Sequence, residues 1–249
     1  VGAEHLEAQA TSWPPDFHGS WNIMGRDFDQ SEACGHLTNT VGNPVIRCSI
    51  PYTDLAPYLS PRALALTEIF RRDEYLSPKW HCKPPTIPAA LDGMIHTFRF
   101  VSESELEIIQ SYYWHTRHIW MDGRDAPNPR DSWFTGYSRG HFEGENEIVI
   151  ETTNFTFDVD GIDDHLHIPS SDMKKVTERY TLLDEDTMRI TITLEDPLML
   201  VRPFTWGHMM TRDADHVPMG VYNCDPEYNL FEVEGTVPDP YGADISVNR

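Results

Sequence analysis

The chain is poor in several things, and each shortage narrows what it does. It has 19 Lys and Arg against 40 Asp and Glu, a formal charge of −21 over 249 residues. A chain so short of basic residues is not expected to bind a phosphate backbone, which needs clustered cations, or an anionic membrane surface. It contains no apolar run near the roughly 18 residues of a spanning helix. It lacks a CxxC pair, so a zinc ribbon or thioredoxin-type site is not expected. It also lacks a glycine fingerprint for a dinucleotide, a P-loop and a haem-attachment motif, and the expectation is no organic cofactor. There is no repeat of fixed period and no low-complexity stretch. The partners left by this charge balance are neutral small molecules, with a homo-oligomer open as a second possibility.

What is present is aromatic bulk and strand pattern. Seven Trp, ten Tyr and eleven Phe can fill a sizeable core. The even set of cysteines, Cys34, Cys48, Cys82 and Cys224, permits two disulfides, one stapling a loop and one tying the first half to the tail, or four free thiols. The chain opens at Val1 with a short polar lead, as a mature terminus after signal cleavage would, and a periplasmic or secreted location is the expectation.

From residue 95 onward strands follow one another through turn-rich breaks, near 95–101, 106–121, 134–142, 146–155, 173–183, 187–195, 199–211 and 219–223. Met188 to Glu195 alternates apolar and polar residues, the mark of a strand with one packed face. Before this region, Ser60-Pro61 is a helix start, a capping hydroxyl followed by Pro at the first position, and the helix is expected to run to about Tyr75. Strands joined in sequence without helices form an up-and-down barrel. The expected fold is all-β, an antiparallel barrel with an N-terminal loop and short helix, in one domain over 1–249. Residues 1–94 would hold the decoration and first strand, 95–223 the main barrel and 224–249 a C-terminal arm.

The chemistry concentrates in Leu106–Arg124, LEIIQSYYWHTRHIWMDGR, read as one continuous strand. Alternation then places Tyr113, His115 and Arg117 on one face, with Tyr112, Trp114 and His118 on the other. His115 is a proton carrier near neutral pH, Arg117 a fork for an anion and Tyr113 a donor. Glu151 and Glu178 sit within strands, and either one turned inward needs a cation such as Arg117 or Arg179. Tyr112, Trp114, Trp133 and Trp206 are candidates for the wall of an apolar pocket, with His165 above it on a lid. His165 and His167, beside Asp163 and Asp164 in the loop GIDDHLHIPSS, offer an alternative: two ligands for a divalent metal such as Zn, needing a third from His115, His118, Glu151 or Glu178.

An ordered set of short motifs carries a resemblance. Gly19-Ser20-Trp21 resembles the opening motif of lipocalin-like barrels. Met121-Asp122-Gly123-Arg124, Gly136-Tyr137-Ser138-Arg139-Gly140-His141-Phe142-Glu143-Gly144, Ile148–Thr152, Val176–Tyr180 and Glu195-Asp196-Pro197 together resemble a bacterial family of small, often exported lipocalin-like β-barrel proteins. That family runs approximately MDGR, GxSxGxWEGD, VVDT, VVERF and EDP. Here His141-Phe142 replaces the x-Trp pair, and Glu151 stands for Asp. The resemblance implies the barrel and brings no single activity with it. Ser138 lacks the strand-to-helix context of a hydrolase nucleophile.

The functional expectation is therefore a small-molecule lyase (decarboxylation, deformylation or elimination) acting on an aromatic substrate by acid–base chemistry inside the barrel. His115 or Glu178 would take the proton while Arg117 and Tyr113 hold the anion, with Glu151 as a further candidate acid. A non-catalytic carrier of an aromatic or apolar ligand and a divalent-metal hydrolase or isomerase are the alternatives.

Overall fold

Nine strands close into one barrel. The computed structural model describes residues 16–26, 36–38, 44–46, 52–92, 95–111, 115–128, 130–216, 224, 236–237 and 245–246. Strand β1 is Gly19–Arg26, and two short hairpin strands, β2 His36–Thr38 and β3 Pro44–Ile46, follow. Helices α1 Tyr52–Leu55 and α2 Pro61–Phe70 precede β4 Ile95–Ser102, β5 Glu105–Gln110, β6 His115–Trp120, β7 Tyr137–Phe142 and β8 Glu147–Thr153. Then come β9 Asp158–Asp163, β10 Ile168–Ser170, β11 Lys175–Leu182, β12 Thr187–Glu195 and β13 Phe204–Arg212, with a last pair, β14 Thr236–Val237 and β15 Ile245–Ser246. The barrel order is β1-β13-β12-β11-β8-β7-β6-β5-β4, closing on β1.

Alternation explains which residues fill it. Met188, Ile190, Ile192 and Leu194 on β12 are all fully buried, while the residues between them are not. Their register partners on β13, Met210, His208, Trp206 and Phe204, face the same interior. Trp21 on β1 is fully buried, and its indole N–H donates to the Phe17 carbonyl at 2.9 Å under the Arg212 guanidinium.

The barrel departs from a purely antiparallel one at a single seam. An odd number of strands cannot alternate direction all the way round, and β6 and β7 run parallel, paired only at Ile119–Ser138 and Trp120–Arg139. A parallel pair needs a crossover, which residues 121–136 supply. Gly136 ends it at φ +75°, where an added Cβ would lie 2.7 Å from the Phe155 ring. Only glycine adopts that backbone and fits that space without strain.

The run 106–121 is not one strand. It folds back between Gln110 and His115 into β5 and β6, which pair antiparallel with Gln110 opposite His115. Both halves have strand composition and no Gly or Pro marks the reversal, so local preference does not reveal it. Tyr112, Tyr113 and Trp114, like the expected strand 219–223 and Cys34 and Cys48, lie outside the described residues. Ser60 does cap α2, accepting from the Ala63 N–H at 3.1 Å, but the helix stops at Phe70 rather than near Tyr75. The last barrel strand starts at Phe204, because Leu200 instead bridges Leu59 and Pro203 has no N–H to give a ladder.

The expected loop 161–171 is largely a hairpin, β9–β10, locked by buried polar groups. Lys174 donates to the Thr86 hydroxyl at 2.9 Å and the Gly161 carbonyl at 3.0 Å, and Thr86 donates to Asp158 at 2.8 Å. Asp160 takes Ser77 and the His167 ring, and Asp163 accepts the His165 and Leu166 N–H groups. Asp196, from the Glu195-Asp196-Pro197 motif, accepts from the Ser171 N–H and hydroxyl, both at 2.7 Å. Burial pulls the Lys174 ammonium down to about 7 and pushes the Asp163 carboxyl up to about 6, with Asp164 adding to the latter.

Cys82 and Cys224 form a disulfide across 142 residues of sequence. A link closing so long a loop restricts the unfolded chain strongly. The double variant Cys82→Ser/Cys224→Ser is expected to unfold with about 2–4 kcal/mol less stability in urea titration. An unfolding midpoint equal to that of the oxidised wild type would show that this tie contributes nothing.

Candidate functional site

The inward face of β6 carries His115, Arg117 and Ile119, and the outward face Thr116, His118 and Trp120. Arg117 is 4 % exposed and Glu178, inward on β11, is fully buried. Two charges in such a place are tolerable only when each is matched and hydrogen-bonded. Both Nη atoms of Arg117 donate to Glu178, at 3.0 and 2.7 Å, in the bidentate geometry that suits a guanidinium and a carboxylate. The same Nη2 lies 3.4 Å from the Ser138 hydroxyl and 3.3 Å from that of Thr152. Tyr180, two residues along β11, donates its phenol to Glu178 at 2.8 Å.

Burial works against the Arg117 charge, but Glu178, through its charge and its hydrogen bonds, holds the guanidinium above its ordinary value. Burial first, and the Glu178 charge second, push the Tyr180 phenol well above 10. At neutral pH it is a donor. Two residues from Arg117, about 7 Å along the strand, His115 is pulled down to about 4, chiefly by burial and then by Arg117 and His118. It is a neutral imidazole at physiological pH.

Four buried polar atoms on inward-facing positions lack a hydrogen-bond partner among the described residues: Gln110 Oε1, His115 Nε2, Arg117 Nε and Trp206 Nε1. The Gln110 amide nitrogen donates to the Ala90 carbonyl at 3.2 Å, and Gln110 stands opposite His115 across the β5–β6 ladder. Buried polar groups are normally satisfied by protein or by water, and these four have no partner within the described protein. His96 and His208, on β4 and β13, add two more buried imidazoles to this interior.

Where β6 and β7 separate, a cleft of about 350 Å3 opens in the barrel wall. Thr116, His118, Trp120, Trp133, Tyr137 and Pro127 are among the residues that line it, with Arg117 and Ser138 of the neighbouring strands.

The structure brings together Arg117, Glu178 and His115 on one interior, with Trp206 on the facing strand. It changes the role expected of Arg117, whose fork is occupied by Glu178 rather than open to an anion. Glu151 is corrected as an interior acid: it points outward on β8 and pairs with Lys175 at 2.6 Å, because the inward positions of that strand are Ile148, Ile150 and Thr152. That lysine also holds its carboxyl below the usual range. Trp133 lies on the cleft, outside the barrel wall.

His165 and His167 sit at the β9–β10 turn, with His167 Nδ1 bonded to Asp160 at 2.9 Å and His165 Nε2 3.4 Å from Asp164. Among the described residues, the three side chains whose possible ligand atoms converge are Glu105, Glu107 and His118 on the outer face, and neither His165 nor His167 joins such a group.

Sequence reasoning missed His96, Gln110, Tyr180 and His208. The signal was available for His208: it continues the alternation Phe204, Trp206, Met210, and Tyr180 likewise continues Val176 and Glu178. Gln110 was hidden by the false continuity of 106–121.

No family model matches the chain, and no curated protein matches it.

Breaking the pair from one side leaves a buried charge alone. Glu178→Gln or Arg117→Met is expected to cost about 3–5 kcal/mol in urea unfolding, and the joint variant Arg117→Met/Glu178→Leu to recover most of it. A double variant as unstable as the sum of the singles would contradict this.

Proposed function

We propose that the protein is a small-molecule enzyme, a cofactor-independent lyase that acts on an aromatic substrate by acid–base chemistry in the barrel interior. The observation that carries the reading is His115: an imidazole held neutral, its Nε2 open, beside a buried ion pair. Perturbed titratable groups in a recess are typical of sites that move protons. In this reading His115 Nε2 takes a substrate proton. The electron pair left on oxygen forms a C=O bond as the neighbouring carbon–carbon bond breaks, the pair of that broken bond leaves with the aryl fragment, and the imidazolium returns the proton to it.

Arg117 Nε–H and Trp206 Nε1–H are the donors available to a developing negative charge, and low dielectric strengthens such contacts. Glu178 and Tyr180 position Arg117. The interior is otherwise largely hydrocarbon, including Phe98, Ile108, Ile150 and Ile192, which excludes water and matches an aromatic body in polarity.

That same hydrocarbon supports a second reading, a non-catalytic carrier of an aromatic or apolar ligand. The third, a divalent-metal hydrolase or isomerase using His165 and His167, requires about one bound ion per chain in metal analysis. The Cys82–Cys224 disulfide supports an oxidising location, the periplasm or the exterior.

Assay against a panel of aryl alcohols and aryl acids tests the enzyme reading, with aldehyde or carbon dioxide release as the readout. His115→Gln should lower kcat by roughly 10²–10⁴ while ligand binding persists. Unchanged turnover in that variant would remove His115 from the chemistry, and binding without turnover in the wild type would favour the carrier. The wild-type rate should hold through neutral pH and fall only as pH approaches about 4, where His115 gains its proton.

Stability carries its own signature. The His115 value is lowered from 6.5 to about 4 on folding, so the unfolded chain binds more protons between those limits. Stability is therefore lost as pH falls through that window. Asp163, raised from 3.8 to about 6, acts in the opposite sense there. The difference in slope between wild type and His115→Gln isolates the imidazole, and parallel slopes would contradict its burial in neutral form.

A further inference from the structure

The outer face of the β5–β6 pair carries a second group of side chains, separate from the barrel interior and independent of the part proposed for His115. On β5, Glu105 and Glu107 lie two residues apart and share a face, and β6 sets His118 opposite Glu107 and Trp120 opposite Glu105. His118 Nδ1 stands 2.9 Å from Glu105 Oε1 and 3.6 Å from Glu107 Oε1, and the three ligand atoms lie within 4.8 Å of one another. The strand ladder, not a loop, holds them together.

Two carboxylates turned onto one imidazole nitrogen are badly served by a proton. Nδ1 carries at most one hydrogen, which reaches one of the two oxygens well, and the carboxylates repel each other. The neighbouring cations are engaged elsewhere. Arg99 donates through Nε to Glu107 Oε2 at 2.6 Å and also pairs with it through Nη2. Arg124 clasps Asp122 and lies over the Trp120 ring at 4.4 Å. Glu107 is largely removed from water, yet its Oε1 still faces the imidazole.

A zinc ion held at about 2.0–2.1 Å by tetrahedral ligands spaces those ligands roughly 3.3 Å apart. The two distances from Nδ1 fall on either side of that spacing. One imidazole with two carboxylates suits zinc better than calcium or magnesium, which favour oxygen ligands alone. His118 also lines the cleft of about 350 Å3, beside Thr116, Trp120 and Tyr137. Three protein ligands leave a coordination position open, as in catalytic zinc sites.

We propose that Glu105, Glu107 and His118 bind one Zn2+ ion at the edge of the cleft, its fourth position taken by water or by an oxygen of a molecule in the cleft. Arg99 orients Glu107 by holding its other oxygen, the service that outer hydrogen bonds give to metal ligands.

The test uses the full chain without a histidine tag, treated with chelator and titrated with ZnCl2 by calorimetry at neutral pH. One equivalent should bind, at least about tenfold more tightly than Mg2+ or Ca2+. His118→Gln and Glu105→Gln, each checked for a folded circular dichroism spectrum, should weaken zinc by at least about tenfold. The joint variant His165→Gln/His167→Gln should bind it as the wild type does. Trp120 stacks on His118 with ring centres 6.4 Å apart, so Co2+ in place of zinc should quench part of the Trp fluorescence, and Trp120→Phe should remove that part. Zinc that fails to bind, that binds unchanged in His118→Gln, or that is lost with His165 and His167 instead would overturn the proposal. So would several weak sites shared equally with Mg2+ and Ca2+, the behaviour of an acidic surface alone.

Discussion

A buried arginine facing a buried carboxylate sets the terms for the rest of this molecule. Neither Arg117 nor Glu178 could sit where it does alone, since a lone ion in a hydrocarbon interior loses several kcal/mol of hydration. Together with Ser138, Thr152 and Tyr180 they form a network fed by β6, β7, β8 and β11. A slip of one residue in any of those strands would turn its member to the outside and expose hydrophobic neighbours. The ion pair is therefore also a lock on register, at the one place where the ladder is weakest, the short parallel seam between β6 and β7.

That seam and the locked hairpin give the barrel two different kinds of polar structure. The hairpin cluster around Lys174, Asp158, Asp160 and His167 is densely bonded and reads as architecture: it fastens β9 and β10 to the segment carrying Ser77 and Thr86. The interior set around His115 is different, because Gln110, His115, Arg117 and Trp206 keep atoms in reserve. Satisfied polar groups hold a fold together. Open ones, buried among hydrocarbon side chains, do not serve the fold in that way.

Much of this was legible in the residues. The alternation of Met188, Ile190, Ile192 and Leu194 identified a one-sided strand, Ser60 identified its helix, and Arg117 was named beforehand as a partner for an inward Glu178. Other parts were misread for physical reasons. A strand reversal without glycine or proline leaves no local trace, so β5 and β6 merged into one element. Glu151 and Glu178 look alike in sequence, each amid β-branched neighbours, yet Glu178 points in with Val176 and Tyr180 while Glu151 points out with Lys175. Parity along a strand is fixed only once its pairing is fixed.

By itself the sequence determined the architecture: a strand-rich, acidic, aromatic chain that forms a barrel. Those properties follow from composition and period, which act over a few residues. The tertiary structure decided the partners. Arg117 and Glu178 stand 61 residues apart, and Cys82 and Cys224 stand 142 apart. Closure of the sheet alone brings such groups to one place, because a strand dictates that its side chains alternate but not which neighbours they will meet across the barrel.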